Sequence, residues 1–292
     1  MGLDTTIRGD CLDVLRAFPD SRFDSLIQAD SRHVPLADRS VQCVVTSPPY
    51  WKHRCYAGSQ GEVPFGQEPT VEGYVRTTMD VLREARRVLK DDGVVFWNVA
   101  DTYVGKGLCL IPERVAIAAQ GDGWLVRNII VWHKPNPMPA SAQDRLTRSY
   151  EDIIVLVKRP NYYWNHEAAQ ETAVGPAGRS RRSATKECGR NDTGRVITDT
   201  GYRNMRDVWP MSVGWLKGAH PAIFPLELPR RCIRLGSRPG DVVLDLFSGS
   251  GTTGLAAGEL GRSYIGFDLA YLDLARERIS GAGRQAREPW VC

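Results

Sequence analysis

The chain has 292 residues, 42% hydrophobic and 25% charged, with a formal net charge of +4. This is globular composition, enough for one large α/β domain with an insertion or for two small domains. No apolar run reaches 18 residues, which excludes a helical membrane span, and residues 1–10 lack the apolar stretch of a secretory signal, so no leader is expected.

The first forty residues carry no clear periodicity. Val41–Thr46 (VQCVVT) reads as a buried strand, stopped by Ser47-Pro48-Pro49. A Gly- and Pro-containing loop follows over 52–69. Val71–Leu89 has helical spacing, with Thr70 as its N-cap. Gly93–Val99 reads as a second buried strand, and Ile111–Gln120 as a helix with Pro112 in its first turn. Ile129–His133 and Asp152–Lys158 read as further strands. From Asn161 to Ala219 the periodicity fails, which marks an insertion. Helix Leu226–Leu235, strand Asp241–Phe247, helix Gly251–Leu260, strand Tyr264–Phe267 and helix Leu269–Ile279 complete the chain, with a frayed tail from Gly281. Strands alternating with helices predict a mostly parallel, doubly wound sheet.

Seven scattered cysteines include no CxxC pair, so neither a zinc site nor a disulfide framework is indicated. Reduced thiols and a cytoplasmic location are the expectation. Charge is concentrated rather than spread. Between Val174 and Arg206 eight basic residues, among them Arg179, Arg181, Arg182 and Arg190, stand against three acids. That excess suits contacts to phosphate, although a solvated loop would look the same.

Strand Asp241–Phe247 (DVVLDLF) runs straight into Ser248-Gly249-Ser250-Gly251-Thr252-Thr253-Gly254 and then into a helix. Asp268 follows 19 residues after Gly249, at the end of the next strand. Strand, Gly-rich turn, helix, strand and acid form the context in which bare backbone approaches a nucleoside-containing cofactor and the acid accepts from ribose hydroxyls. Only 24 residues follow Asp268. The other strands of the sheet must therefore come from the N-terminal part, and the arrangement is circularly permuted. The short tail also disfavours a nicotinamide oxidoreductase.

Thr46-Ser47-Pro48-Pro49-Tyr50-Trp51 sits at a strand's C-terminal end, the edge where open α/β sheets bind ligands. Two prolines fix φ twice and remove two N–H donors, leaving the Ser47 oxygen and the Pro48 carbonyl as acceptors beside the Tyr50 ring. An exocyclic amino group on a base is a poor nucleophile, because its lone pair is conjugated into the ring. Two acceptors gripping its N–H bonds draw it toward tetrahedral geometry, while an aromatic face stacks on a base turned out of the duplex. Positioning and electrostatics then suffice for attack on a sulfonium methyl.

TSPPY resembles motif IV of the DNA amino-methyltransferases, and DLFSGSGTTG resembles their motif I. The order, catalytic motif first and cofactor motif last, is that of the β class. GVVFWNVAD, IVWHKPNPMP and HPAIFPLELPRRCI are similar to its intervening blocks, so the likeness covers nearly the whole chain outside the insertion. The resemblance implies a circularly permuted, Rossmann-like class I methyltransferase sheet with helices on both faces and an inserted target-recognition region. It divides the chain into a catalytic half (1–160), the target-recognition insertion (161–219) and a cofactor-binding half (220–292). It implies S-adenosylmethionine as cofactor and duplex DNA as partner, with a cognate restriction endonuclease as a further one. Ser47, Pro48, Pro49 and Tyr50 become the catalytic turn. Asp245, Phe247, Gly249, Gly251 and Thr252 surround the cofactor, with Asp268 on its ribose and Asp30 on its adenine. Gly9-Asp10 resembles the last of these motifs as well, so Asp10 stays an alternative to Asp30.

Trp51, His133 and Lys134 are assigned to the base pocket or to DNA, as are Arg179, Arg181, Arg182 and Arg190. Arg145 and Arg148 are further candidates for phosphate or guanine contact. Ser at the first motif position leans toward cytosine N4, and Asp toward adenine N6. Cytosine C5 chemistry needs a cysteine nucleophile, presented after proline in that family, and no cysteine here follows one. The alternatives are an adenine N6 enzyme, methylation of RNA or of a protein amide, and an inactive nucleic-acid-binding protein.

Overall fold

The computed structural model describes residues 24–27, 31–53, 64–172, 202–213, 224–268 and 271–285. Eight strands form the main sheet: β1 (Asp24–Ile27), β2 (Val41–Thr46), β3 (Leu89–Val99), β6 (Leu125–His133), β7 (Tyr150–Val157), β10 (Val208–Pro210), β11 (Val242–Asp245) and β12 (Ser263–Phe267). Their spatial order is β1-β12-β11-β2-β3-β7-β6-β10. Two hairpin-sized pairs lie outside it, β4 (Tyr103–Val104) with β5 (Gly107–Leu108), and β8 (Gln170–Thr172) with β9 (Tyr202–Asn204). The helices are α1 (Val71–Val88), α2 (Ile111–Gly121), α3 (Glu227–Gly236), α4 (Thr252–Glu259) and α5 (Leu272–Gln285). No helix of the described residues is long and apolar enough to cross a membrane.

The permuted order is visible in the pairing. β1, the first described strand, lies parallel to β12, the last, and β11 joins β12 to β2. The C-terminal pair is thus inserted between two N-terminal strands. β7 alone runs antiparallel to both its neighbours, β3 and β6. The segment joining β6 to β7 contains no helix, and a connection without a crossover gives antiparallel neighbours.

Alternation along the strands builds two cores. Val44, Val95, Trp97, Ile154 and Leu244 point to the face covered by α1 and α2. Cys43, Val45, Val94, Phe96, Val155 and Val243 point to the face covered by α3, α4 and α5. α1 begins where Thr70 Oγ1 accepts from the Gly73 amide at 3.0 Å, and Arg86 and Arg87 in its last turn complement the helix dipole.

The stretch beyond Asn161 is less separate than its sequence suggests. The Asn165 amide donates to the Leu235 carbonyl, Trp164 lies 6.3 Å from Phe96, and β10 pairs with β6 as an edge strand of the main sheet. Buried Trp209 anchors that strand. Three-residue strands held by single aromatics leave no periodicity to read.

Candidate active site

The C-terminal ends of β2, β3, β11 and β12 share one edge of the sheet. Because β7 is reversed, its first residues lie there too. Five side chains meet at this edge. Tyr50 Oη donates to Glu151 Oε2 at 2.6 Å, and Ser47 Oγ lies 3.0 Å from Tyr50 Oη. Asn98 Nδ2 donates to Tyr50 Oη (2.7 Å), Glu151 Oε2 (2.9 Å) and Ser47 Oγ (3.3 Å). Lys134 Nζ closes the far side on Glu151 Oε1 and lies 4.7 Å from the Trp132 ring centroid.

These bonds have a direction. A phenol has one proton, and Tyr50 gives its proton to the Glu151 carboxylate. Tyr50 can therefore only accept from Ser47, so the Ser47 proton points at Tyr50 Oη. Ser47 then offers lone pairs outward. A serine hydroxyl is ordinarily both donor and acceptor; here Glu151 makes it an acceptor. Burial pushes the Tyr50 phenol well above its ordinary value, and the Glu151 charge adds to the effect, so the proton stays in the chain. The turn itself is rigid. Tyr74 Oη donates to the Pro49 carbonyl at 3.1 Å, and the His53 amide to the Tyr50 carbonyl at 3.1 Å.

The neighbouring half of the edge is built from backbone. Gly249 (φ 52°) and Gly251 (φ 77°) take the left-handed turn between β11 and α4. At Gly254 a Cβ would meet Ile279 Cδ1 at 2.6 Å and Tyr264 at 2.7 Å, so this glycine lets α4 press onto β12 and α5. Asp268 stands at the end of β12. Its carboxylate accepts from the Gly249 amide at 2.8 Å and the Tyr271 amide at 2.9 Å. The Phe247 ring packs against Phe65 (5.1 Å) and Trp97 (6.2 Å). Bare backbone turned past an acid and an aromatic lip is a donor and acceptor set that fits the ribose and amino-acid parts of a nucleoside cofactor.

Asp245 belongs to the scaffold of that loop. Only 1% exposed, it accepts from Thr46 Oγ1 (2.7 Å), Thr253 Oγ1 (2.6 Å) and the Phe247 amide (3.1 Å). It thereby ties β11 to β2 and α4, and its oxygens are spent on the protein. This corrects the expectation that it touches the cofactor directly. Burial raises its pKa to about 6 against the opposing pull of these bonds. Thr252 is likewise buried, in the first turn of α4.

Trp51 is also a correction. It is 4% exposed within the α1-side core, and its indole N–H donates to the Glu68 carbonyl at 2.8 Å. A large apolar ring next to a tight turn was drawn inward. His133 and Lys134 do reach the ligand edge, but Lys134 is tied to Glu151 rather than left for DNA. Asp101, buried just after β3, accepts from the Thr102, Leu110 and Ile111 amides and so caps α2, whose own N-cap Leu110 has no side-chain acceptor. Arg148 is paired with Asp152 at 2.8 Å and faces Asp101 at 3.7 Å. Asp10, Asp30, Arg179, Arg181, Arg182 and Arg190 lie outside the described residues. Ser31, beside Asp30, donates to the Leu246 carbonyl at 2.5 Å, which brings that segment to the Gly-rich loop.

Asn98 and Glu151 are the residues that sequence reasoning missed. Glu151 precedes the predicted strand at Asp152. In a parallel strand, its start would lie at the opposite edge of the sheet.

Comparison with known proteins gives a concordant result. A family model described as DNA methylase, of the N6/N4 type, matches residues 41–276. The Type II methyltransferase M.SmaI of Serratia marcescens is 37% identical over 287 residues, covering 87% of this chain and 90% of the relative. M.Cfr9I of Citrobacter freundii, also a Type II methyltransferase, is 35% identical over 308 residues, covering 95% and 88%. Among solved structures, the TTHA0409 protein of Thermus thermophilus, complexed with S-adenosyl-L-methionine, superimposes with a TM-score of 0.60 at 27% identity, covering 89% of this chain and 94% of that one. The cytosine-N4-specific PvuII DNA methyltransferase shares the fold, with a TM-score of 0.65 at 19% identity over 91% and 92% of the two chains.

Proposed function

The chain belongs to the N6/N4 DNA methylase family, and from that premise we propose that it methylates cytosine N4 at a specific sequence of duplex DNA, by direct attack of a base turned out of the helix. It is a DNA methyltransferase, and its cofactor is S-adenosylmethionine. The observation that carries the proposal is the directed chain from Ser47 through Tyr50 to Glu151.

When bound, S-adenosylmethionine supplies a methyl group on a sulfonium, an electrophile that needs alignment and no further activation. Gly249 and Gly251 would hold it by backbone, Phe247 by its ring and Asp268 by its carboxylate, with the segment around Asp30 on the adenine. On the catalytic side, Ser47 Oγ and the Pro48 carbonyl accept the two amino hydrogens of the base. The Tyr50 ring supports it. As nitrogen gains a methyl, one N–H proton must leave. It passes to Ser47 Oγ as the Ser47 proton moves to Tyr50 Oη and the Tyr50 proton to Glu151. At nitrogen one N–H bond is exchanged for one N–C bond, the bonding pair of the departing methyl stays on its sulfur, and one O–H bond forms at the carboxylate.

Ser47 supports the cytosine reading through the family resemblance, in which Ser at the first motif position leans toward cytosine N4 and Asp toward adenine N6. The basic residues Arg179, Arg181, Arg182 and Arg190 are assigned to target recognition within 161–219, between the catalytic half (1–160) and the cofactor half (220–292). The Type II names of the relatives support a cognate restriction endonuclease as partner.

Base-resolved product analysis tests the proposal. Mixed-sequence duplex DNA is incubated with the protein and S-adenosylmethionine, digested to nucleosides and weighed by mass spectrometry. N4-methylcytosine is expected. N6-methyladenine would keep the mechanism and overturn the base. No methylated nucleoside, with cofactor binding intact, would overturn both.

A further inference from the structure

The segment from Lys134 to Ser149, joining β6 to β7, leaves the sheet at the catalytic edge and carries the two most exposed large apolar side chains among the described residues. Leu146 is 90% exposed and Met138 is 85% exposed. A mobile loop could expose a leucine by default, but this one is pinned on both sides of Leu146. Asp144 accepts from Lys106 Nζ at 2.9 Å, and the Arg145 guanidinium lies 3.7 Å from the Tyr103 ring centroid. Arg148 is clamped by Asp152 and lies 4.2 Å from the Tyr150 ring centroid. The stem closes where the Lys134 amide donates to the Ser149 carbonyl at 2.6 Å. The β4–β5 hairpin thus holds the loop while leaving its one leucine in solvent.

The stem is continuous with the catalytic cluster. Lys134 binds Glu151, which holds Tyr50. Lys134 and Arg148 are spent on Glu151 and Asp152, so the charge around the exposed tip is that of Arg145 and of Lys106 from the hairpin, with Asp144 as the one acid beside them. An apolar tip with a cationic surround, rooted beside the base-binding turn, fits a partner with an apolar interior and an anionic exterior. Duplex DNA is that partner: stacked bases lie inside two rows of phosphates.

We propose that Leu146 enters the base stack at the target position and fills the space from which the base is turned out. This rests on the base-extrusion reading above. Extrusion costs unpairing and unstacking, and an apolar side chain in the gap offsets part of that cost. Leu146 is a positioning residue in this role. It touches neither the reacting nitrogen nor the cofactor.

The test compares two substrates, both containing the sequence that the wild-type protein methylates. One is fully paired; the other has an abasic site opposite the target, so the base is already unpaired. Leu146→Ala is expected to lower the methylation rate on the paired duplex about tenfold, and on the abasic duplex less than about twofold, because extrusion there is cheap. Leu146→Met is expected to restore most of the rate. The thermal midpoint and S-adenosylmethionine affinity of both variants should match wild type, since the Leu146 side chain is 90% exposed. Equal loss on the two substrates, or no loss on either, overturns the wedge. A wild-type protein that methylates or binds the abasic duplex no better than the paired one would instead overturn the base-extrusion reading beneath it.

Discussion

The two halves of the ligand edge solve recognition in different ways. On the cofactor side, polar side chains are spent on backbone. Asp268 holds the Gly249 amide, Asp245 holds the Phe247 amide, and Ser31 holds the Leu246 carbonyl. What faces outward is a shaped turn of main chain, with the partly exposed Phe247 ring and Asp268 carboxylate at its rim. On the catalytic side, side chains are spent on one another. Ser47, Tyr50, Asn98, Glu151 and Lys134 come from four separate stretches and meet in one cluster. A cofactor of constant structure can be met by a fixed backbone mould. A proton that must leave needs groups able to pass it on.

The sharpest way to break the comparison is to neutralise the end of the chain. Glu151→Gln keeps the shape and removes the charge that orients Tyr50 and takes the proton. Turnover should fall about 100-fold, in the range seen on loss of a positioned acid or base. Cofactor affinity, read by calorimetry, should not change. A parallel loss of affinity would mean that the two halves are not separate.

The same division decides what the sequence could disclose. The Gly-rich turn is local: Gly249, Gly251, Gly254 and Asp268 lie within twenty residues, the glycines each answering to a steric demand and the acid accepting from the turn's backbone. The turn, the flanking strands and the permutation were therefore legible. So was the Ser47–Tyr50 turn, because two prolines after a buried run define a strand exit. The cluster around it was not. Glu151 is 101 residues from Tyr50, and their contact depends on β7 running backwards. Periodicity marks a strand but carries no sign for its direction. Asn98 sits inside a run of apolar residues and offers nothing to distinguish it from a tolerated polar one. β10 and the packed segment around Trp164 escaped because they are too short to show a period.

Asp245 permits a second break, on the cofactor side. Its pKa in the fold is about 6 against an ordinary 3.8, because burial disfavours the charged form. The folded chain therefore holds this proton more tightly than the unfolded chain. The stability linked to it is complete below pH 3.8 and is lost as pH rises toward about 6. Asp152, also raised to about 6 by burial, titrates in the same window, so the signal must be taken as a difference between proteins. Asp245→Asn does not titrate. The stability of wild type relative to this variant should fall by roughly 2 kcal/mol between about pH 4 and about pH 6, then level off. Chemical denaturation across that range reads it. A flat difference would mean that the three hydrogen bonds cancel the burial cost.

A smaller effect is expected from the turn itself. Gly251→Ala forces an L-residue to φ 77° and brings its Cβ within 3.1 Å of Ala275 Cβ. Left-handed backbone costs about 1–2 kcal/mol, which should weaken cofactor binding about tenfold. Turnover at saturating cofactor should stay within about twofold of wild type, because no proton passes through Gly251.

The finest test lies within the catalytic cluster and asks whether its members act as one chain. Tyr50→Phe keeps the ring and removes the hydroxyl that accepts from Ser47 and gives to Glu151. A water taking the place of the lost hydroxyl would still relay the Ser47 proton to the Glu151 carboxylate, so turnover should drop only about fivefold. Combining it with Glu151→Gln is the informative step. If the proton path runs through both groups, breaking it twice costs no more than breaking it once at the costlier link. The double variant should then match Glu151→Gln alone, a coupling energy of about 1 kcal/mol. Strict additivity would mean that Tyr50 and Glu151 help independently. The 2.6 Å bond between them would then be architecture rather than a path.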